Sequence, residues 1–186
     1  MSFASRRTSA RALRIRALTF SAMYLGLALV LPFLTGQIPE IGSMLCPMHI
    51  PVLLCGFVCG WSWGLAVGFV APLLRSVLFG MPALFPEAVA MTFELAAYGA
   101  VAGFLRRLLP RFPGQLYVVL ILSMVSGRLV WGAARFLLAG LAQTTFSAEL
   151  FLAGAVTRAL PGIILHLAII PPLVALMDEA RLTLDR

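Results

Sequence analysis

PMHIPVLLCGFVCGWSWGLAVGFVAPLLRSVLFG, residues 47–80, decides the architecture of this chain. Read as one kinked element, it leaves an odd number of apolar spans in the whole sequence; read as two, an even number. GWSWG (60–64) favours two, because two glycines and a serine bracket a pair of tryptophans of the kind that settle at a membrane–water boundary. One span then covers 47–60 and the next 64–80.

The rest of the sequence explains why spans are the right unit. The chain has 186 residues, 61% of them hydrophobic and 11% charged, with a mean hydropathy of +1.01. A soluble domain is about half apolar and about a quarter charged, so this excess belongs in lipid. Further apolar blocks lie at 17–35, 86–105, 115–140 and 149–177, lengths suited to helices crossing about 30 Å of hydrocarbon. The strict alternation of a membrane β-barrel is absent. The expectation is an all-α membrane protein with six transmembrane helices in residues 17–178, between a basic segment at 1–16 and a short tail at 179–186. The first block follows arginines as a signal peptide would, but its core is long and no small-x-small cleavage site follows, so it reads as a mature helix.

Charge placement sets the expected orientation. All fourteen basic residues are arginine. Arg6, Arg7, Arg11, Arg14 and Arg16 precede the first span; Arg106, Arg107 and Arg111 follow the fourth; Arg181 and Arg186 follow the sixth. Six spans bring all of these to one side, while 36–46, 81–85 and 141–148 carry no arginine. By the positive-inside rule both termini are cytoplasmic. The arginines form no single solvated patch, so nucleic acid is not an expected partner.

Arg75, Arg128, Arg135 and Arg158 fall within spans, with Glu87 and Glu94 in the fourth. A charge there costs about 3 kcal/mol on insertion scales, so each needs a reason. On the six-span arrangement these groups gather in the outer half of the bilayer, with His49 at the rim. Helix-locking ion pairs leave a surplus of arginine over glutamate. An outward-facing pocket for a small, negatively charged solute accounts for that surplus. Arg128 and Arg135 share one helix face with Trp131 between them, offering two guanidinium forks about an indole. His166 reads as lying beyond the midplane, towards the cytoplasm, and as an interhelical hydrogen-bonding residue outside the site.

Other motifs carry less. Gly56, Gly60, Gly64 and Gly68 form a small-residue ladder for close helix packing, and Ala17-x-x-x-Ser21 and Ala22-x-x-x-Gly26 smooth a face of the first helix for docking. Cys46, Cys55, Cys59 and His49 match no established metal-ligand spacing, so neither a metal nor a cofactor is expected. No nucleotide loop, H-E-x-x-H or nucleophile elbow is present. Two alternatives stay open: an intramembrane enzyme using His49, Glu94 or Ser76, and a structural membrane subunit.

MLCPMHIPVLLCGFVCG (44–60), VGFVAPLLRSVLFGMPALFPEAVAMTFELAAYGAVAGFL (67–105) and SGRLVWG (126–132) resemble the substrate-binding S components of energy-coupling factor (ECF) vitamin transporters, a likeness that runs over residues 12–178. The resemblance implies a multi-pass protein of a bacterial cell membrane that captures a micronutrient from the outer face. It implies delivery through a separate module of one transmembrane coupling subunit and two ATPases. The family's docking motif, an alanine pair in the first helix, matches Ala17-x-x-x-Ser21 with serine in the second place, and Ala22-x-x-x-Gly26 lies beside it. Family ligand sites draw on the outer parts of helices four to six, where Glu94, Tyr98, Arg128, Trp131, Arg135 and Arg158 fall; His49 and Arg75 complete the candidate set. Pantothenate is the first expected ligand, with B6 vitamers or a queuosine precursor next.

Overall fold

A computed structural model describes residues 3–35, 44–141, 147–154 and 159–184. The chain is helical, with no strand among the described residues. Helix α1 spans Phe3–Val30 and tightens into a 3-10 turn at Leu31–Thr35; α2 is His49–Cys59; α3 is Trp61–Phe79. A π-turn at Leu84–Ala88 leads into α4, Val89–Leu108. Then come α5, Gln115–Leu141, the short α6, Ala148–Leu152, and α7, Leu160–Glu179.

Five of these stretches are long and apolar enough to cross a membrane, and the chain is an integral membrane protein. α2 is the exception. Its 11 residues rise about 16 Å, half of what the hydrocarbon layer demands. It is apolar on every side and correspondingly buried, with Val52, Leu53, Cys55 and Val58 fully enclosed. So the second expected span, 47–60, is a half-length helix that starts inside the bundle and is wrapped by α1, α3, α4 and α7.

Gly60 ends α2 with φ 94°, a left-handed value that glycine adopts freely, and Trp61 begins α3 at once. The break foreseen at GWSWG is therefore real and one residue wide. The glycine ladder explains how tightly the resulting hairpin seats. A Cβ on Gly56 or Gly64 would run into the Gly99 carbonyl, one on Gly68 into Leu95, and one on Gly103 into Gly60 and Trp61. Both arms of the α2–α3 hairpin thus lie on a single stripe of α4, at 95, 99 and 103, with backbones in contact.

The sixth expected span is also redrawn. A single helix over 149–177 is replaced by α6 and a separate α7 whose second residue is Pro161. Proline has no N–H to donate and suits a first helical turn, so the helix opens there. Neighbouring contacts fix the directions: Gly162 lies against Met44 and Leu45, while Asp178 at the far end pairs with Arg106. α1 finishes beside α3, with Arg75 reaching Leu29. α1 therefore begins, and α7 ends, at the end of the bundle that holds the α4–α5 turn. Leu184 N–H closes that end by bonding the Val58 carbonyl at 2.8 Å.

Candidate functional site

Glu94 sits in the second turn of α4, 1% exposed. A carboxylate at that depth must be matched by polar groups, and side chains from α5, α4 and α2 surround it. Arg128 of α5 places Nη1 2.8 Å from Glu94 Oε1. The Tyr98 hydroxyl, one turn along α4, donates to the same oxygen at 3.2 Å. His49, the first residue of α2, holds Nε2 3.5 Å away. Tyr98 can stand against α5 because residue 127 is glycine: a Cβ there would enter its ring.

The segment leading into α2 completes this layer. Cys46 has φ 48°, turning the chain into the helix, and Arg128 Nη2 lies 3.6 Å from its sulfur. His166 of α7 stacks on His49 with ring centroids 6.0 Å apart and planes 26° from parallel. Both imidazoles are buried, at 2% and 3% exposure. Neither nitrogen of His49, nor Nε2 of His166, has a hydrogen-bond partner among the described residues. His49 Nε2 has only its long contact with Glu94, and with His49 Nδ1 and His166 Nε2 it makes a polar floor beside the guanidinium with unused bonding capacity.

A second layer lies nearer the α3–α4 end. Arg135 Nη1 pairs with Glu87 Oε1 at 2.7 Å, and Glu87 is 44% exposed, so this pair opens more readily than the Glu94 pair. Trp131 stands between the two arginines as the spacing predicted, with each guanidinium carbon 6.0 Å from its ring. Phe151 of α6 stacks on the indole at 6.3 Å. Gly132 leaves room for Phe151, and Gly154 for Trp131.

Several placements differ from the sequence reading. His49 is not at a rim but buried against Glu94, because α2 begins part-way down the bundle. His166 belongs to the cluster: counting from residue 149 put it past the midplane, whereas α7 starts at Leu160 and brings it level with His49. Arg75 is engaged elsewhere. It donates to the Leu29 carbonyl and lies 5.0 Å and 5.4 Å from the Phe33 and Phe79 rings, fastening α1 to α3. Arg158 lies outside the described residues. Ala17 and Ser21 turn inward, Ser21 Oγ resting 3.6 Å from Cys55 Sγ, so this pair serves packing within the chain. Ala22 and Gly26 face outward.

The sequence reading leaves Cys46 and His166 outside the site and does not single out Phe151, since nothing in local spacing ties them to Glu94. No hydrogen bond joins Ser76 to a His49 ring nitrogen among the described residues. No three His, Cys, Asp or Glu side chains among those residues are grouped to hold a metal. A cavity of about 700 Å³ opens at the opposite end, beside Arg106 and Arg111. Glu94, Tyr98, Arg128, Trp131 and Arg135 of the candidate set gather in or beside the buried ionic cluster, not at that cavity.

Neither the curated proteins nor the solved structures contain a match to this chain. Residues 16–174 match the family described as ECF transporter, substrate-specific component. That match covers most of the sequence, includes every residue of the cluster, and agrees with a bundle of apolar helices around a buried polar site. The chain belongs to the family of ECF transporter substrate-specific components, the substrate-binding subunits of these transporters.

Proposed function

We propose that the chain captures a small anionic vitamin or vitamin precursor, pantothenate first, from the outer face of a bacterial cell membrane. Both termini then lie in the cytoplasm, as the arginine distribution favours. Delivery runs through the coupling subunit and two ATPases of an ECF module. The observation that carries the reading is Trp131 between Arg128 and Arg135 above a floor of unsatisfied imidazoles. A ligand carboxylate takes the Arg135 fork by displacing Glu87, which returns to water. The apolar or planar body lies on Trp131, and hydroxyl or amide groups satisfy His49 and His166.

Thermal unfolding of the purified chain against pantothenate, B6 vitamers and queuosine precursors tests this. A ligand at a hundred times its Kd adds about 2.7 kcal/mol. Arg135→Gln keeps the fold, because its pair is half-exposed, and weakens the hit about tenfold or more through loss of a charge-assisted bond. An unchanged affinity in Arg135→Gln would remove the anion-gripping role. Stabilisation by a cationic vitamin alone would reverse the sign of the site.

The outward pair Ala22 and Gly26 is the proposed docking face for the module. A Cβ at Gly26 meets nothing within 4 Å, so Gly26→Leu folds and binds ligand normally. Co-purification with the module is expected to fall about tenfold, equivalent to about 1.4 kcal/mol. Full retention of the module by Gly26→Leu would move the docking face elsewhere.

A further inference from the structure

The cavity at the end of the bundle opposite the candidate site has a net basic lining that the capture of a vitamin does not use. It lies where α4 ends, α5 begins and α7 finishes, and three arginines line it, Arg106, Arg107 and Arg111, against one aspartate, Asp178. Asp178 is already committed: Arg106 Nη2 holds both of its oxygens, at 2.6 and 2.7 Å. Arg107 and Arg111 are exposed and make no ion pair with a described residue.

The frame beneath these charges is rigid. Gln115, itself buried, donates to the carbonyls of Arg106 and Leu109 at 3.3 and 2.9 Å, which caps α4 and sets the turn. Arg106 is 10% exposed, and its Nη1 has no acceptor among the described residues. Much of the remaining lining is apolar and includes Leu116, Pro171, Pro172 and Ala175. Phe112 and Tyr117 stand exposed at the rim, 42% and 47%, as aromatic side chains do at the headgroup level of a bilayer.

Arginines, apolar lining and exposed aromatic side chains at the ends of membrane-crossing helices match one kind of molecule. We infer that this cleft binds the headgroup of an anionic phospholipid, its phosphate held by Arg107 and Arg111 and its glycerol and first methylenes lying on the proline wall. A bound lipid ties α4, α5 and α7 together at the end where the chain's basic segments gather. The inference is independent of the vitamin reading, because it uses no residue of the Glu94 cluster.

The test uses the full chain in detergent, titrated with phosphatidylglycerol, with phosphatidylcholine of the same acyl chains, and with inorganic phosphate. Lipid retention is read by native mass spectrometry and stability by thermal unfolding. Phosphatidylglycerol is expected to be retained and to raise Tm, phosphatidylcholine to do neither, and Arg107→Gln/Arg111→Gln to weaken retention about tenfold. Both residues are exposed, so the variant folds. Equal retention of the two lipids, or of phosphatidylglycerol by wild type and variant, would overturn the proposal. A Tm rise with inorganic phosphate alone that matches the lipid's would replace the lipid with a free anion.

Discussion

Arg128→Ala is expected to be the most damaging single substitution in the ion-pair cluster. It strands Glu94, which is 1% exposed and whose Oε1 loses the Arg128 contact at 2.8 Å. Tyr98 and His49 remain beside that oxygen, at 3.2 and 3.5 Å, but neither brings a fixed positive charge. Breaking a buried pair by removing one partner costs about 3–5 kcal/mol, whereas removing both costs far less. Arg128→Ala/Glu94→Gln is therefore expected to recover more than half of the stability lost. Denaturant unfolding of the four chains in one double-mutant cycle measures the coupling. Additive losses would mean that the two charges do not depend on each other. The substrate-binding reading adds a second expectation: the double variant regains stability without regaining ligand affinity, because a neutral amide cannot restore the guanidinium fork.

The second large effect is expected at Gly99, which carries no charge and touches no ligand in the proposed site. Its Cα faces Gly64 at the crossing of α3 and α4, and an added methyl meets the Gly64 backbone with no flexible side chain to give way. The helices must separate. Overpacking of a close contact costs about 1–3 kcal/mol, and here the obstacle is backbone on both sides. Gly99→Ala is expected at the top of that range, and Gly26→Ala, in open space, within about 0.5 kcal/mol of the parent. Glu94 and Tyr98 share α4 with Gly99, so the shift moves two residues of the cluster. Ligand affinity is expected to fall about tenfold along with stability. Stability close to the parent's in Gly99→Ala would show that the crossing has slack.

How much was readable beforehand depends on what each residue answers to. The face of α5 was legible because Arg128, Trp131 and Arg135 belong to one helix, and helical spacing alone aligns them. Their partners were not. Glu94 comes from α4 and Glu87 from the π-turn before it, and which arginine meets which glutamate depends on how far these elements slide along α5. His49 and His166 were each misplaced by depth for the same kind of reason. Hydropathy starts α2 at the membrane edge and the last span at 149, whereas α2 begins within the bundle and α7 at 160, eleven residues later. Each residue of error moves a side chain about 1.5 Å along the axis, and a full turn about 5.4 Å. The first-helix pairs differ only in facing: Ala17 and Ser21 look inward and Ala22 and Gly26 outward, although both pairs are small and four residues apart.

Composition and hydropathy by themselves establish a helical membrane protein, because hydrocarbon forces every spanning segment to satisfy its own backbone and to be apolar over a set length. Arginine placement points to which connections share an end, and the small-residue ladder points to helices that touch backbone to backbone. The assembly of Glu94, Arg128, His49, Tyr98, His166 and Cys46 into one buried cluster follows from none of these. It depends on where Gly60 and Pro161 break the helices and how the α2–α3 hairpin seats on the Gly99 stripe. Those are long-range packing choices, and they set the depth at which each polar group meets its neighbour.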